Sequence, residues 1–284
     1  MLAALLHAGH PVSWGAWHLE PTVTAGAFIV VGLYFRAVWL SGRRPEWWRL
    51  LSFTLGSLAI FIGLVSPLDA AADRLLSMHM LQHVLLTSIG PPLVLLGLTP
   101  ALLEFLLKPG LLNRAARAVT NPLVAAPLFL VNMWFWHAPG VYQAALTELP
   151  VHVVMHLAFL VTGLIFWWPV IQPLPQLSRI GEGARLLYLF VSGFPMGLLA
   201  LLLLASGTVV YGYYENPPHL WGIDPLIDQQ IAGVIMGALG EAASFVAITF
   251  LFFRFLDHEE EQPGPPASVA PEQAPPRRDP ASVP

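Results

Sequence analysis

The chain has 284 residues and a formal charge of −4 at neutral pH; 56% of its side chains are apolar, only 11% are charged, and none is cysteine. A soluble domain carries about 25% charged residues, so this chain has too few charges to cover a water-exposed surface. Without Cys there is no disulfide framework, thiolate zinc or iron–sulfur site, or cysteine nucleophile.

The charge is also unevenly spread: residues 257–284 hold 8 of the 30 charged side chains. No basic cluster supports nucleic-acid binding, and no phosphate-cradling glycine motif supports nucleotide binding. The N-terminal residues lack a basic start and a full apolar core, so they are not read as a cleaved signal peptide.

Seven apolar stretches match the ~20 residues that a helix needs to cross a bilayer. They cover 23–41, 47–66, 76–98, 121–137, 151–172, 184–206 and 229–256, the fourth being barely long enough. Turn and breaker residues fall between them, among them Arg43-Arg44-Pro45, Ser66-Pro67, Thr99-Pro100 and Asn121-Pro122. The fold class expected is therefore all-α, a polytopic bundle of seven transmembrane helices. The segment 101–118 is too charged to span and is expected along the interface. An outer N-terminal segment, 1–22, precedes the membrane domain, 23–256.

Counting Lys and Arg near the span ends gives the orientation. With the N-terminus outside, 12 of the 13 basic residues fall on the cytoplasmic side and Arg74 alone lies outside. The C-terminus is then cytoplasmic, an assignment that holds only for an odd number of spans. From Asp257 the chain turns acidic and proline-rich, which predicts a disordered tail over 257–284.

With that topology, nine of the ten histidines gather at the outer face. His7, His10 and His18 precede the first span, and His219 precedes the seventh. His79 and His83 open the third span, His137 closes the fourth, and His152 and His156 open the fifth. Each of the two pairs is spaced i, i+4 and so projects from one helix face, about 6 Å apart. Imidazole suits copper, zinc, iron and nickel, and thioether favours Cu(I). Met80, Met133, Met155 and Met236 lie on the same spans and are candidate accessory ligands. A His and Met set without Cys or a carboxylate cluster points to copper more than to zinc. The competing reading makes the histidines structural, bonded to neighbouring helices, and the methionines packing.

Gln82, Asp228 and Gln229 either orient ligand imidazoles or satisfy helix starts. Glu241 sits mid-span, where a carboxyl is costly and faces the bundle interior. It is either a protonated structural group or a step in ion movement. Gly233, Gly237 and Gly240 beside it suggest close helix packing, and Gly90-Pro91-Pro92 is expected to kink the third span.

Several of these motifs are shared with a known family. Ser77-Met78-His79-Met80-Leu81-Gln82-His83, followed by Gly90-Pro91-Pro92-Leu93, resembles the third-span signature of the seven-helix CtaG family. Those proteins are assembly factors of caa(3)-type cytochrome c oxidase. Trp17-His18-Leu19-Glu20-Pro21, His137-Ala138-Pro139 with Tyr142, His152 and His156 before Phe166-Trp167-Trp168-Pro169, and Asp228-Gln229-Gln230 continue the match in order. It covers about residues 14–256. An unrelated copper chaperone that shares the CtaG name has one anchor helix and a Cys-bearing domain, which the absence of Cys excludes here.

The resemblance implies a non-catalytic role in maturing haem–copper oxidase, with the oxidase subunits as partners, in the bacterial plasma membrane. Carried over, the motif histidines are His79, His83, His137, His152 and His156. The expected mechanism is Cu(I) capture at the outer face and release to an apo-subunit. Three rivals stay open: a b-type haem held by one His from each pair, a copper or ion transporter using Glu241, and a metal-free scaffold.

Overall fold

A helix satisfies every backbone N–H and C=O within its own segment, so long apolar runs in a water-free setting become helices. The computed structural model describes residues 17, 19, 21–177, 180–215 and 220–260, and among these there is no strand. Apart from short helical turns at Pro100–Leu103, Glu104–Leu107, Gly212–Tyr214 and Leu220–Gly222, the helices in chain order are α1 (Pro21–Leu40), α2 (Trp47–Val65), the short α3 (Pro67–Ala72), α4 (Leu76–Gly97), the short α5 (Leu111–Val119), α6 (Pro122–His137), α7 (Pro139–Thr147), α8 (Leu149–Ile171), α9 (Glu182–Ala205) and α10 (Pro225–Glu260). Six of them, α1, α2, α4, α8, α9 and α10, are long and apolar enough to cross a membrane. This architecture suits a multi-pass membrane protein.

The expected fourth span is the exception. α6 has 16 residues, about 24 Å at 1.5 Å per residue, short of a ~30 Å hydrocarbon layer. It reaches span length only with α5, and the two are bent by 70° at their junction. Asn121 sits at the bend and caps α6 by accepting the Leu123 N–H at 2.9 Å. The spans therefore number six, or seven when the bent pair counts as one. α5 carries Arg114 and Arg117 beside exposed Leu111 and Leu112, the composition of a helix lying in the interface. The rest of the expected interfacial segment, 101–118, includes helical turns at Pro100–Leu103 and Glu104–Leu107.

The tail boundary is also corrected. Helical backbone runs past the expected break at Asp257 to Glu260. Arg254 and His258, one turn apart, reach the two oxygens of Glu182 on α9 at 3.0 and 2.8 Å and hold this last turn against the bundle. Residues 261–284, and with them the expected disorder, lie outside the described residues, as do His7, His10, His18, Arg179 and His219.

α4 is the central helix: 67% of its span is buried, against 6% of α1. α2, α8 and α10 pack around it. The α2–α4 approach depends on glycine, because a Cβ on Gly56 would stand 2.6 Å from the Val94 nitrogen and one on Gly97 2.5 Å from the Phe53 Cβ.

The expected break near Gly90 takes the form of a π turn over Leu85–Ile89, closed by the Gly90 N–H on the Leu85 carbonyl. Pro91 has no N–H to give the Thr87 carbonyl one turn back. Trp167 on α8 fills that place, its indole N–H donating to the Thr87 oxygen at 3.0 Å. α10 has a matching π turn over Ile235–Leu239 and packs on α4 at this level. Replacing Trp167 by Phe should leave the Thr87 carbonyl buried and unpaired, costing about 1–3 kcal/mol. Thermal unfolding in detergent, followed by circular dichroism, should show the lowered midpoint.

Candidate metal centre

The first turns of α4 carry His79 and His83, those of α8 carry His152 and His156, and the last turn of α6 carries His137. The spacing expected from sequence thus becomes one cluster at one end of the bundle. His79 and His83 stand 4.5 Å apart between ring centroids, and His152 and His156 4.3 Å. Between helices, His79 lies 5.4 Å from His152 and 5.8 Å from His156, and His83 lies 5.5 Å from His137 and 5.8 Å from His156. His79, His83 and His156 form the inner set: each offers a ring nitrogen, and all three nitrogens lie within 4.8 Å of one another. His79, His83, His137 and His156 are buried, while His152 is half-buried at the rim.

Buried polar atoms are nearly always hydrogen-bonded, and here several are not. His79 Nε2, His137 Nε2, His156 Nε2 and both ring nitrogens of His83 have no protein partner. The backs of two rings are, by contrast, held. His137 Nδ1 lies 2.8 Å from the Met133 carbonyl; a carbonyl only accepts, so Nδ1 carries the proton and Nε2 keeps its lone pair. The Tyr214 hydroxyl donates its one proton to the Ala72 carbonyl at 2.9 Å. It can therefore only accept from His79 Nδ1, 3.2 Å away, which leaves the His79 Nε2 lone pair facing the cluster. Burial pushes the Tyr214 and Tyr142 phenols well above their ordinary value, so both stay protonated. An imidazole oriented from behind by one fixed hydrogen bond is the usual arrangement of a metal-ligating histidine.

Over residues 32–258 the sequence matches the cytochrome c oxidase caa3 assembly factor family, Caa3_CtaG. The chain belongs to this family. It is also similar to uncharacterized proteins of Mycobacterium bovis and Mycobacterium tuberculosis, each 24% identical over 254 residues. An uncharacterized protein of Mycobacterium leprae is 26% identical over 261 residues. Each match takes in 83% of this chain but only 38% of the relative, so the chain spans well under half the length of these proteins. No solved structure matches.

The polar residues expected around the histidines of this Caa3_CtaG chain support helices and loops. Asp228 on α10 accepts from the Leu76 N–H at 2.6 Å, the Ser77 N–H at 3.2 Å and the Ser77 hydroxyl, so it caps α4 from across the bundle. α10's own N-cap is Asp224. Gln82 turns towards α2 and α3, donating to the Gly63 carbonyl at 2.8 Å and Asp69 at 2.9 Å. Gln229 accepts the Val210 N–H at 2.6 Å and donates to the Thr208 carbonyl at 3.1 Å, fixing the loop before Tyr211. Met80, Met133, Met155 and Met236 all belong to the buried apolar core.

Two residues at the site went unread in the sequence. Tyr211 donates to the His137 carbonyl at 2.8 Å and stacks near Tyr142, with 4.1 Å between centroids; Tyr214 holds His79. The available signal was the aromatic run Tyr211-Gly212-Tyr213-Tyr214 in a short loop. Replacing Asp228 by Ala should expose three donors at the start of α4 and cost about 2–3 kcal/mol. Hydrogen exchange should show the Leu76 and Ser77 amides exchanging faster, together with a lower unfolding midpoint.

Proposed function

We propose that this assembly factor binds Cu(I) in the histidine cluster and hands it to an apo-subunit of cytochrome c oxidase. The observation that carries the reading is the inner set His79, His83 and His156, whose buried nitrogens converge without protein partners. A cation at their centre would use the lone pairs that the fold leaves unpaired. Neutral imidazoles suit Cu(I), which takes few ligands and brings a single charge. His137, with its lone pair fixed towards the cluster, and half-buried His152 are the further ligands of this reading, His152 lying where an incoming protein could exchange ligands. The exchange would take place on the outer side of the bacterial plasma membrane, the side that the distribution of basic residues supports for this end of the bundle.

Ring packing supports a small ion over a b-type haem. Imidazoles 4.3–5.8 Å apart, with the Phe159 ring 4.4 Å from His83, occupy the space that a porphyrin plane would need.

Elemental analysis of detergent-purified protein, loaded with Cu(I) under reducing conditions and washed, should give about one copper per chain. Changing His79 and His83 together to Ala should abolish it, with folding checked by gel filtration. Occupancy should fall in acid, because a protonated imidazole has no lone pair to give. Iron at unit ratio, or copper retained after both His pairs are replaced, would refute the proposal. Tyr214→Phe removes the acceptor that fixes the His79 tautomer and should weaken Cu(I) binding about 10–100-fold in a chelator competition.

A further inference from the structure

Half-way along α10, below the histidine cluster, the bundle encloses a narrow cavity whose polar lining is Ser88, Ser192, Ser244 and Glu241. The three serines are buried, and Ser244 lies one turn from Glu241 on the same helix. Both π turns serve this cavity: Ser88 lies within that of α4, and Glu241 follows that of α10. A π turn adds a residue to the helix and rotates everything after it by about 100°, so the turn at 235–239 sets the direction in which Glu241 points. Gly193 on α9 leaves room for the group, since a Cβ there would stand 3.3 Å from Glu241 Oε2.

Among the described residues, none that lines the cavity with Glu241 is positively charged. α4 presents Ser88, α6 and α8 present aromatic rings, and α9 presents Ser192, Gly193 and Met196. Tyr188, one turn before Ser192, commits its hydroxyl to the Phe166 carbonyl at 2.9 Å. An ionised carboxylate here would be an unpaired charge inside an apolar bundle, the costliest state available to it. One carboxyl and three hydroxyls are also fewer oxygens than a bare alkali cation gathers, but they are enough to hold a proton and bond a water. Glu241 is half-buried rather than sealed, so its carboxyl is accessible to a small reagent.

We propose that Glu241 is a proton-exchange site inside the membrane domain: its carboxyl is protonated at rest and releases and regains that proton through the serine-lined cavity. This role needs no metal at the histidines.

Dicyclohexylcarbodiimide tests it, because this apolar reagent adds to protonated carboxyls in lipid-facing settings: the acid proton moves to a reagent nitrogen, and the carboxyl oxygen bonds the central carbon. With the full chain in detergent, peptide mass spectrometry should find the adduct at Glu241 and not in Glu241→Gln. Labelling at Glu241 should be found at neutral pH and fall severalfold as the pH rises. Sodium at fixed pH should leave the rate unchanged. Absence of the adduct at neutral pH, a rate independent of pH, or protection by sodium would each overturn the proposal.

Discussion

The structure depends on how the two ends of a buried helix are satisfied. α4 lies at the centre of the bundle, so its terminal N–H and C=O groups cannot turn to bulk water, and leaving them unpaired is expensive. Leu75, at the N-cap position, has no side chain able to help. Asp228 supplies the acceptor from α10, 152 residues away in sequence. At the other end Arg49 donates to the Leu96 and Leu98 carbonyls at 3.2 and 3.1 Å, and Tyr34 to the Gly97 carbonyl at 3.0 Å. A carboxyl at the N-terminus and a guanidinium at the C-terminus each oppose the helix dipole. This clamp fixes the depth and rotation of α4, and with them the positions of His79 and His83.

Once α4 is fixed, the cluster is assembled by short connections. α7 and the loop before α10 cover the histidines with Tyr142, Tyr211 and Tyr214, each anchored to buried backbone or to a neighbouring ring. The Tyr211 and Tyr214 bonds to the His137 and Ala72 carbonyls tie the loop to the ends of α6 and α3. Gln229 holds the same loop from α10. Support that reads as local in the sequence is thus spread over five segments, and loss of any one of them loosens a ring.

Much of this was legible in advance because long apolar runs have few alternatives. The span ends follow the breaker residues closely, and the i, i+4 histidine pairs land where helical periodicity places them. The fourth span was less legible because sixteen residues satisfy an apolar pattern without satisfying the membrane thickness. Only the 70° bend shows that α5 does not continue α6 in a straight line. Asp228 was ambiguous because a carboxyl near a helix start caps its own helix in most folds, and sequence spacing cannot show that Asp224 already does so. The π turns were hidden too: Gly90-Pro91-Pro92 marks a broken hydrogen-bond ladder, but Trp167, the donor that repairs it, lies on another helix.

The use of Asp228 as a cap bears on which cation the cluster favours. The desolvation cost of an ion grows with the square of its charge, and in an apolar site it must be met by ligands or counter-charges. The inner set is entirely imidazole, and Asp228, near the same end of α4, already has three donors. A divalent ion bound there would keep both charges without a neutralising carboxylate, whereas a monovalent ion keeps one, at roughly a quarter of the desolvation cost on that scaling. For the proposed Cu(I) reading, this charge balance is the easier one to meet, because a single positive charge is all that the imidazoles leave uncompensated.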